Sequence, residues 1–218
     1  MIRSTVMTIC LLGIISPTLL YAADKPAGSI GQARSEKVQV PPTQEAPTGG
    51  DFTLQADSGP VALQDFRGKV VMLYFGYTSC PDICPSALSF LTQALNELND
   101  EELKKVQGIF ISVDPKRDTP KKLAEYTNYF HPNLIGITGS EQEVAAAAKL
   151  YGARYYEEEL EGSPIGYAVN HSSVTYLVTS DGALRFIFPH GTPPSVILKA
   201  IRYVLNEDKQ QEAGQPKP

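Results

Sequence analysis

Two of the three cysteines lie four positions apart, in the segment Cys80-Pro81-Asp82-Ile83-Cys84-Pro85. This spacing is one residue wider than the CxxC motif of dithiol oxidoreductases. Thiolates are soft ligands that favour metals such as copper and zinc, and two neighbouring thiols can also cycle through a disulfide. The cysteine pair therefore predicts either a metal site or a redox-active dithiol.

A stable metal site needs at least a third ligand, and the chain offers three histidines, His131, His171 and His190. His131 ends a predicted helix, where an exposed imidazole would complement the helix dipole. His190 lies in a Pro-His-Gly loop of the kind that is usually solvated. His171 directly precedes a predicted core strand, so it is the favoured third ligand, with a buried structural histidine as the alternative.

The cysteine motif follows a continuous apolar run, Val70 to Phe75, which is typical of a strand buried on both faces. We predict that the next helix begins with Cys84 as its N-cap and Pro85 as its first residue. The motif then occupies a strand-to-helix loop, where ligands gather in open α/β sheets. A thiolate at a helix N-terminus has a lowered pKa, which we expect for Cys84.

The remaining pattern places further strands and helices in alternation. They are a hairpin between Phe52 and Leu63, strands at 108–114 and 134–138, helices from Thr119 and Ser140, antiparallel strands at 174–178 and 184–188, and a helix at 193–205. This order predicts an α/β, thioredoxin-like three-layer sandwich with a central mixed sheet and an N-terminal β-hairpin. In that fold the loop that contains His171 faces the dithiol, which supports the assignment of this histidine as a ligand.

The composition predicts one domain with flanking segments, since 218 residues with 42% hydrophobic content support one sizeable core. Residues 1–23 are typical of a signal peptide or membrane anchor, with an early arginine and an apolar run. Residues 24–49 are predicted to be a Pro-rich flexible tether, and residues 207–218 a disordered polar tail. The domain itself is then expected at residues 50–206.

Charge and export narrow the function further. A net charge of −5 without a basic stripe argues against nucleic-acid binding. Export predicts an extracytoplasmic location such as the periplasm, with membrane contact only through the N-terminal segment. A disulfide between Cys80 and Cys84 would close too short a loop to stabilise the fold, so we expect it to be a redox state.

Three segments together resemble the Sco/SenC family over roughly residues 50 to 206. They are residues 76–85 (GYTSCPDICP), 113–120 (VDPKRDTP) and Asn170-His171-Ser172. The resemblance implies a copper metallochaperone that binds Cu(I) or Cu(II) through Cys80, Cys84 and His171 and helps assemble the copper centre of cytochrome c oxidase. It implies as partners the copper-bearing subunit of the oxidase, or another copper chaperone, and a thioredoxin-like reductant.

The family commonly has an aspartate before the histidine, whereas this chain has Asn170. Asp82 and Asp114 are further candidates for orienting the ligands, although capping of turns is the more ordinary role of aspartate. The competing function is an extracytoplasmic thiol-disulfide oxidoreductase that uses Cys80 and Cys84 to reduce the cysteines of a copper site. Whether the protein is an enzyme therefore stays open from the sequence.

Overall fold

The structure is a computed structural model that describes residues 46–162 and 166–214. The predicted signal or anchor at 1–23, residues 24–45 of the tether and residues 215–218 of the tail lie outside the described residues. The first elements are the strands β1 (Thr53–Ala56) and β2 (Gly59–Ala62), which pair antiparallel. The predicted N-terminal hairpin is therefore confirmed, with its turn at Asp57-Ser58.

The elements that follow alternate between strands and helices. The strands are β3 (Val70–Gly76), β4 (Val106–Ser112), β5 (Leu134–Ile137), β6 (Tyr155–Glu159), β7 (Tyr167–His171), β8 (Val174–Val178) and β9 (Leu184–Pro189). The helices are α1 (Ile83–Asn96), α2 (Asp100–Lys104), α3 (Pro120–Phe130), α4 (Glu141–Leu150) and α5 (Pro194–Glu212). A short 3-10 helix, Leu63–Phe66, connects β2 to β3.

Five strands form the central mixed sheet, in the order β5-β4-β3-β8-β9. β3, β4 and β5 run parallel, and β8 and β9 are antiparallel to their neighbours. Every residue of β3 and β4 is buried, as the apolar run in each strand predicts, and in β4 this includes the polar residues Gln107 and Ser112. Because β3 is the middle strand, the loop that follows it lies near the centre of the sheet, at the C-terminal ends of the parallel strands.

Helices cover both faces of this sheet. Tyr74 and Phe75 are neighbours in β3, so their side chains point to opposite faces. Tyr74 stacks on Phe110, whose ring contacts Tyr126 of α3. Phe75 contacts Tyr151, which directly follows α4. Since α1 packs against both α3 and α5, these three helices share one face and α4 lies on the other, which confirms the predicted three-layer arrangement.

The sequence located most helix starts because their caps are local. Thr119 caps α3 through a hydrogen bond to the Lys122 amide and Pro120 is its first residue, while Ser140 and Glu143 form a reciprocal capping box on α4. Two elements were not predicted: α2, which has its own capping box, and the separate two-stranded hairpin of β6 and β7. β6 is short, largely exposed and glutamate-rich, and β7 is half-buried except at the buried Val169, so neither strand has the apolar pattern of a core strand.

Both predicted boundaries of the domain are wrong by several residues. Residues 46–49 were assigned to the tether, yet Gly49 is buried and its amide donates to the Leu150 carbonyl. Residues 207–212 were assigned to the disordered tail, yet they are the last part of α5. Glu207 is buried and pairs with Arg185 of β9 at 3.5 Å, and this long-range contact holds a segment that looks merely polar in sequence.

Candidate metal centre

The cysteine motif follows β3 and runs into the first turn of α1. The helix begins at Ile83 with Asp82 as its N-cap, rather than at Pro85 with Cys84 as the cap. Proline is tolerated one turn into a helix because the first amide groups have no partner within the helix. Cys84 therefore lies inside the first turn with its side chain fully buried, and Cys80 lies in the preceding loop, 8% exposed.

The two cysteines do not form a disulfide, and their pKa values are shifted in opposite directions. A hydrogen bond from the Cys84 thiol, together with the backbone amides of Asp82 and Cys84, lowers the pKa of Cys80 to about 3 despite its burial. The same hydrogen bond, together with burial, raises the pKa of Cys84 above its usual range. The expectation that Cys84 has the lowered pKa is therefore wrong. The amide groups at the helix N-terminus act on the Cys80 sulfur instead.

His171 comes to this pocket from the end of β7, 87 positions after Cys84. Its Nε2 atom lies 3.2 Å from the Cys84 sulfur, and its Nδ1 atom lies 3.3 Å from the Ser172 carbonyl. A carbonyl can only accept a hydrogen bond, so this contact favours a proton on Nδ1, and the Nε2 atom faces the thiols. The histidine is therefore oriented as a metal-binding histidine usually is.

The three donor atoms lie within 4.8 Å of one another. Among the residues that the structure describes, no other group of histidine, cysteine and carboxylate side chains is arranged to hold a metal. Metal bonds of about 2.3 Å to sulfur and 2.0 Å to nitrogen place the ligands of one ion roughly 3.7 to 4 Å apart. The donor set therefore fits a soft metal ion after small side-chain movements.

Two tyrosines enclose the histidine ring. The ring centroids of Tyr74 and Tyr77 lie 6.1 and 5.9 Å from that of His171, and both contacts are edge-on. Burial and the nearby thiolate charge raise the pKa of Tyr74 above its usual range, and burial raises that of Tyr77. Both therefore remain neutral phenols. Neither tyrosine was singled out from the sequence, because aromatic residues in a buried strand are first interpreted as core.

Gly76, the last residue of β3, leaves room for the buried cysteine. A Cβ atom at this position would lie 2.8 Å from the Cys84 sulfur, 2.9 Å from Phe110 and 3.0 Å from Tyr74. Contacts this short do not occur in folded proteins without movement of a neighbour. The glycine is therefore required by the close approach of the Cys84 side chain to the strand.

The loop before Cys80 is held by the carboxylate of Asp118. This fully buried carboxylate accepts hydrogen bonds from the Thr78 amide at 2.8 Å and the Ser112 hydroxyl at 2.7 Å, and it pairs with Lys122 at 3.0 Å. Burial by itself would raise the pKa of Asp118, but these hydrogen bonds lower it overall. Asp118 lies in the VDPKRDTP motif, but the types and spacing of these residues do not indicate which of them contacts the cysteine loop.

Asp114 connects the same motif to the hairpin that carries His171. Its carboxylate pairs with Arg117 at 2.5 Å and accepts a hydrogen bond from the Tyr167 hydroxyl at 2.7 Å. The Arg117 guanidinium lies over the Tyr167 ring and donates to the Tyr167 carbonyl at 2.8 Å. Asp114 therefore fixes the start of β7 and does not contact the three donor atoms.

The other predicted residues lie outside the donor cluster. Asp82 is exposed, and only its amide reaches Cys80. The Asn170 side chain donates to Glu158 at 2.6 Å, because successive residues of a strand point to opposite sides. His131, predicted to be exposed, is buried and accepts a hydrogen bond from the Asn133 amide. His190 is exposed in the loop after β9, as predicted.

The fold and the site together define a class, a thioredoxin-like protein in which two cysteines that follow the central strand and a histidine from a remote hairpin form a candidate metal site. The profile of the SCO1/SenC family matches residues 40–206. The chain is 40% identical over 173 residues to the mouse protein SCO2 homolog, mitochondrial. The aligned region covers 78% of this chain and 66% of the mouse protein. The chain belongs to the SCO1/SenC family.

Solved structures agree with this assignment. Arabidopsis thaliana ScoI with copper bound is 36% identical to this chain, with a TM-score of 0.67. The superposed region covers 72% of this chain and 98% of the ScoI chain. BsSco, a member of the Sco family of cytochrome c oxidase assembly proteins in which a disulfide switch was identified, is 28% identical. The superposed region covers 74% of this chain and 95% of the BsSco chain, with a TM-score of 0.58. The predicted family and fold are confirmed.

Proposed function

We propose that this protein is a copper metallochaperone that binds copper through Cys80, Cys84 and His171 and assists assembly of the copper centre of cytochrome c oxidase. One observation carries the proposal: two thiol groups and one imidazole from remote segments lie within 4.8 Å of one another. The copper-bound ScoI of Arabidopsis and the oxidase-assembly family of BsSco support it.

The donor set favours copper over zinc. Thiolates select Cu(I), which accepts three ligands, and the imidazole helps to accommodate Cu(II). Zinc would take a fourth ligand. Among the described residues the cluster offers three donor side chains and no fourth. Copper therefore satisfies its coordination with this site alone, whereas zinc would need a water molecule or a group from a partner.

The exposure of the ligands indicates how copper leaves the site. Cys84 is fully buried, whereas Cys80 is slightly exposed and His171 is half-buried. A thiolate from a partner can therefore reach the ion from the side of Cys80 and His171, and these two ligands exchange before Cys84 does. Cys84 then holds the ion until the partner has provided enough ligands.

The partners and location follow from this function. The copper is exchanged with the copper-bearing subunit of cytochrome c oxidase or with another copper chaperone, and a thioredoxin-like reductant returns an oxidised Cys80–Cys84 pair to the dithiol. The domain works in an extracytoplasmic space, the periplasm, and the N-terminal segment provides export or anchoring. Within the described part of the chain, no helix is long and apolar enough to cross a membrane.

A copper titration of the reduced protein tests the donor set. We expect His171→Ala to weaken copper binding by about tenfold or more and to alter the thiolate-copper absorption, because one of three ligands is lost. His190→Ala is the matched control, since this exposed histidine lies outside the cluster. An unchanged copper site in the His171 variant would reject the assignment.

A second function, thiol-disulfide exchange, is favoured by the acidity of Cys80. Its pKa of about 3 makes it a thiolate at neutral pH, and a thiolate is the nucleophile that attacks a disulfide. Copper binding needs His171, whereas disulfide reduction needs only the two cysteines. If the wild-type protein reduces a disulfide substrate, Cys80→Ser abolishes that turnover, and His171→Ala leaves copper binding unchanged, the oxidoreductase becomes the better description.

A further inference from the structure

A buried tyrosine hydroxyl beside the metal centre has no partner. Tyr74 is 1% exposed, and its hydroxyl group makes no hydrogen bond with any of the described residues. The polar side chains that it faces are the Cys84 thiol and the Ser173 hydroxyl. Buried hydroxyl groups are almost always hydrogen-bonded, and each exception requires an explanation.

The packing around Tyr74 holds its ring against the site. The ring stacks on Phe110 at a centroid distance of 6.3 Å and meets the His171 ring edge-on. Tyr74 and the Cys84 sulfur flank the same glycine, since a Cβ atom on Gly76 would lie within 3.0 Å of both. The hydroxyl therefore cannot turn towards solvent to find a partner without breaking this packing.

We propose that Tyr74 is a positioning residue whose hydroxyl donates a hydrogen bond to the Cys84 thiolate of the copper-bound protein. A neutral thiol is a weak acceptor, whereas a thiolate is a strong one. Copper binding displaces the Cys84 proton to solvent, and the sulfur then has lone pairs for both the metal and the phenol. The inference rests on the proposed function, because the acceptor is created by the bound copper.

The hydrogen bond would affect both affinity and electronic structure. A donor that contacts a metal-bound sulfur stabilises the thiolate and withdraws electron density from it. Tyr74→Phe removes the hydroxyl and keeps the ring, so the contacts with Phe110 and His171 are retained. We expect this variant to bind copper about tenfold more weakly. We also expect its thiolate-to-Cu(II) charge-transfer band to shift to lower energy, because sulfur without the hydrogen bond is easier to oxidise.

Tyr126→Phe is the matched control. The Tyr126 hydroxyl is also buried without a partner among the described residues, and its ring packs on the same Phe110 at 5.4 Å. The Tyr74 ring and the Cys84 sulfur both lie within 3.0 Å of the position of a Cβ atom on Gly76, whereas Tyr126 is not among the side chains nearest to that position. Replacing Tyr126 should therefore leave copper affinity and the charge-transfer band as in the wild type.

Unfolding of the metal-free proteins separates this role from a purely structural one. Removal of an unpartnered hydroxyl should leave the melting temperature of metal-free Tyr74→Phe equal to that of the wild type or higher. A lower melting temperature would show that the hydroxyl already has a partner without copper and would overturn the inference. Wild-type affinity and an unshifted band in this variant would also overturn it. A wild-type protein that does not bind copper would contradict the proposed function itself.

Discussion

The two cysteines of the motif differ in chemistry although their sequence surroundings are similar. Cys80 is stabilised as a thiolate by the Cys84 thiol and by amides of the first helical turn, while buried Cys84 keeps its proton. One ligand is therefore ready for a cation at neutral pH, and the other must lose a proton when the metal binds. Because only one of the two sulfurs is charged before a metal binds, the buried site avoids the repulsion between two adjacent thiolates.

This asymmetry predicts the proton stoichiometry of copper binding. At pH 7 each copper ion should release close to one proton, from Cys84, since Cys80 with a pKa of about 3 is already ionised. The apparent affinity should then rise about tenfold per pH unit between pH 7.5 and 8.5. Calorimetry in buffers of different ionisation enthalpy measures the released protons. Release of two protons would contradict a preformed Cys80 thiolate.

The close contact between Gly76 and Cys84 leads to a separate prediction. Gly76→Ala should displace the Cys84 side chain and weaken copper binding by about tenfold, with a loss of about 1 to 3 kcal/mol in the free energy of unfolding. Gly108→Ala in β4 is the control, because its Cβ would meet Leu134 at 2.7 Å, away from the cysteines. It should cost similar stability without affecting the metal. If Gly76→Ala bound copper as tightly as the wild type, the Cys84 side chain would have adapted to the methyl group, and the prediction would be wrong.

At the scale of elements, one segment supports both halves of the metal centre. Asp118 accepts hydrogen bonds from Thr78 in the cysteine loop, and Asp114 with Arg117 binds Tyr167 at the start of β7. The strand-to-helix connection between β4 and α3 thus fixes the distance between the cysteines and the histidine. This explains why the VDPKRDTP motif accompanies the cysteine motif although it provides no ligand.

Asp118→Asn tests this support. An amide cannot accept all the hydrogen bonds that the carboxylate receives, so the free energy of unfolding at pH 7 should fall by about 2 to 4 kcal/mol. Because the pKa of Asp118 is lowered in the folded protein, its stabilisation is present above pH 4 and lost as the pH falls below that value. Urea unfolding at several pH values should show a larger loss of stability on acidification in the wild type than in the variant. An equal acid sensitivity in the variant would contradict the role of the carboxylate.

At the scale of the whole molecule, α5 ties the end of the chain to the sheet. Beyond Leu205 it continues through Glu207, which pairs with Arg185, and Asp208, which accepts a hydrogen bond from Ser180. These contacts bridge the helix to β9 and to the turn before it. The final helix is therefore a structural part of the domain to Glu212 and not a tail after residue 206.

Truncation measures this contribution. Deletion of residues 207–218 should lower the free energy of unfolding by about 1 to 3 kcal/mol, because Arg185 and Ser180 lose their partners. Deletion of 213–218, which keeps the helix, is the control and should have little effect. Copper affinity should survive both deletions, since residues 207–214, the part of this segment that the structure describes, are not in the donor cluster. Equal stability of the two truncated proteins would restore the interpretation of 207–212 as a tail.

The sequence alone determined the sheet, most helix starts and the family, and it identified the three residues that the structure brings together as a candidate ligand set. Buried strands are encoded by continuous apolar runs, caps are encoded by residues three positions apart, and cysteine spacing is local. It did not determine the β6–β7 hairpin, whose polar strands have no apolar period, or the ends of the domain, which depend on pairs such as Glu207 with Arg185.

The tertiary structure alone decided which thiol is ionised and which residues surround the three donor atoms. Both depend on contacts between positions far apart in the chain: the hairpin brings His171 to Cys84, and Asp118 reaches Thr78 across 40 positions. The pKa of a group is set by its burial and neighbours in space. Local sequence could therefore identify the cysteines and the histidine, but only folding assigned the thiolate to Cys80 and brought Tyr74 to the metal centre.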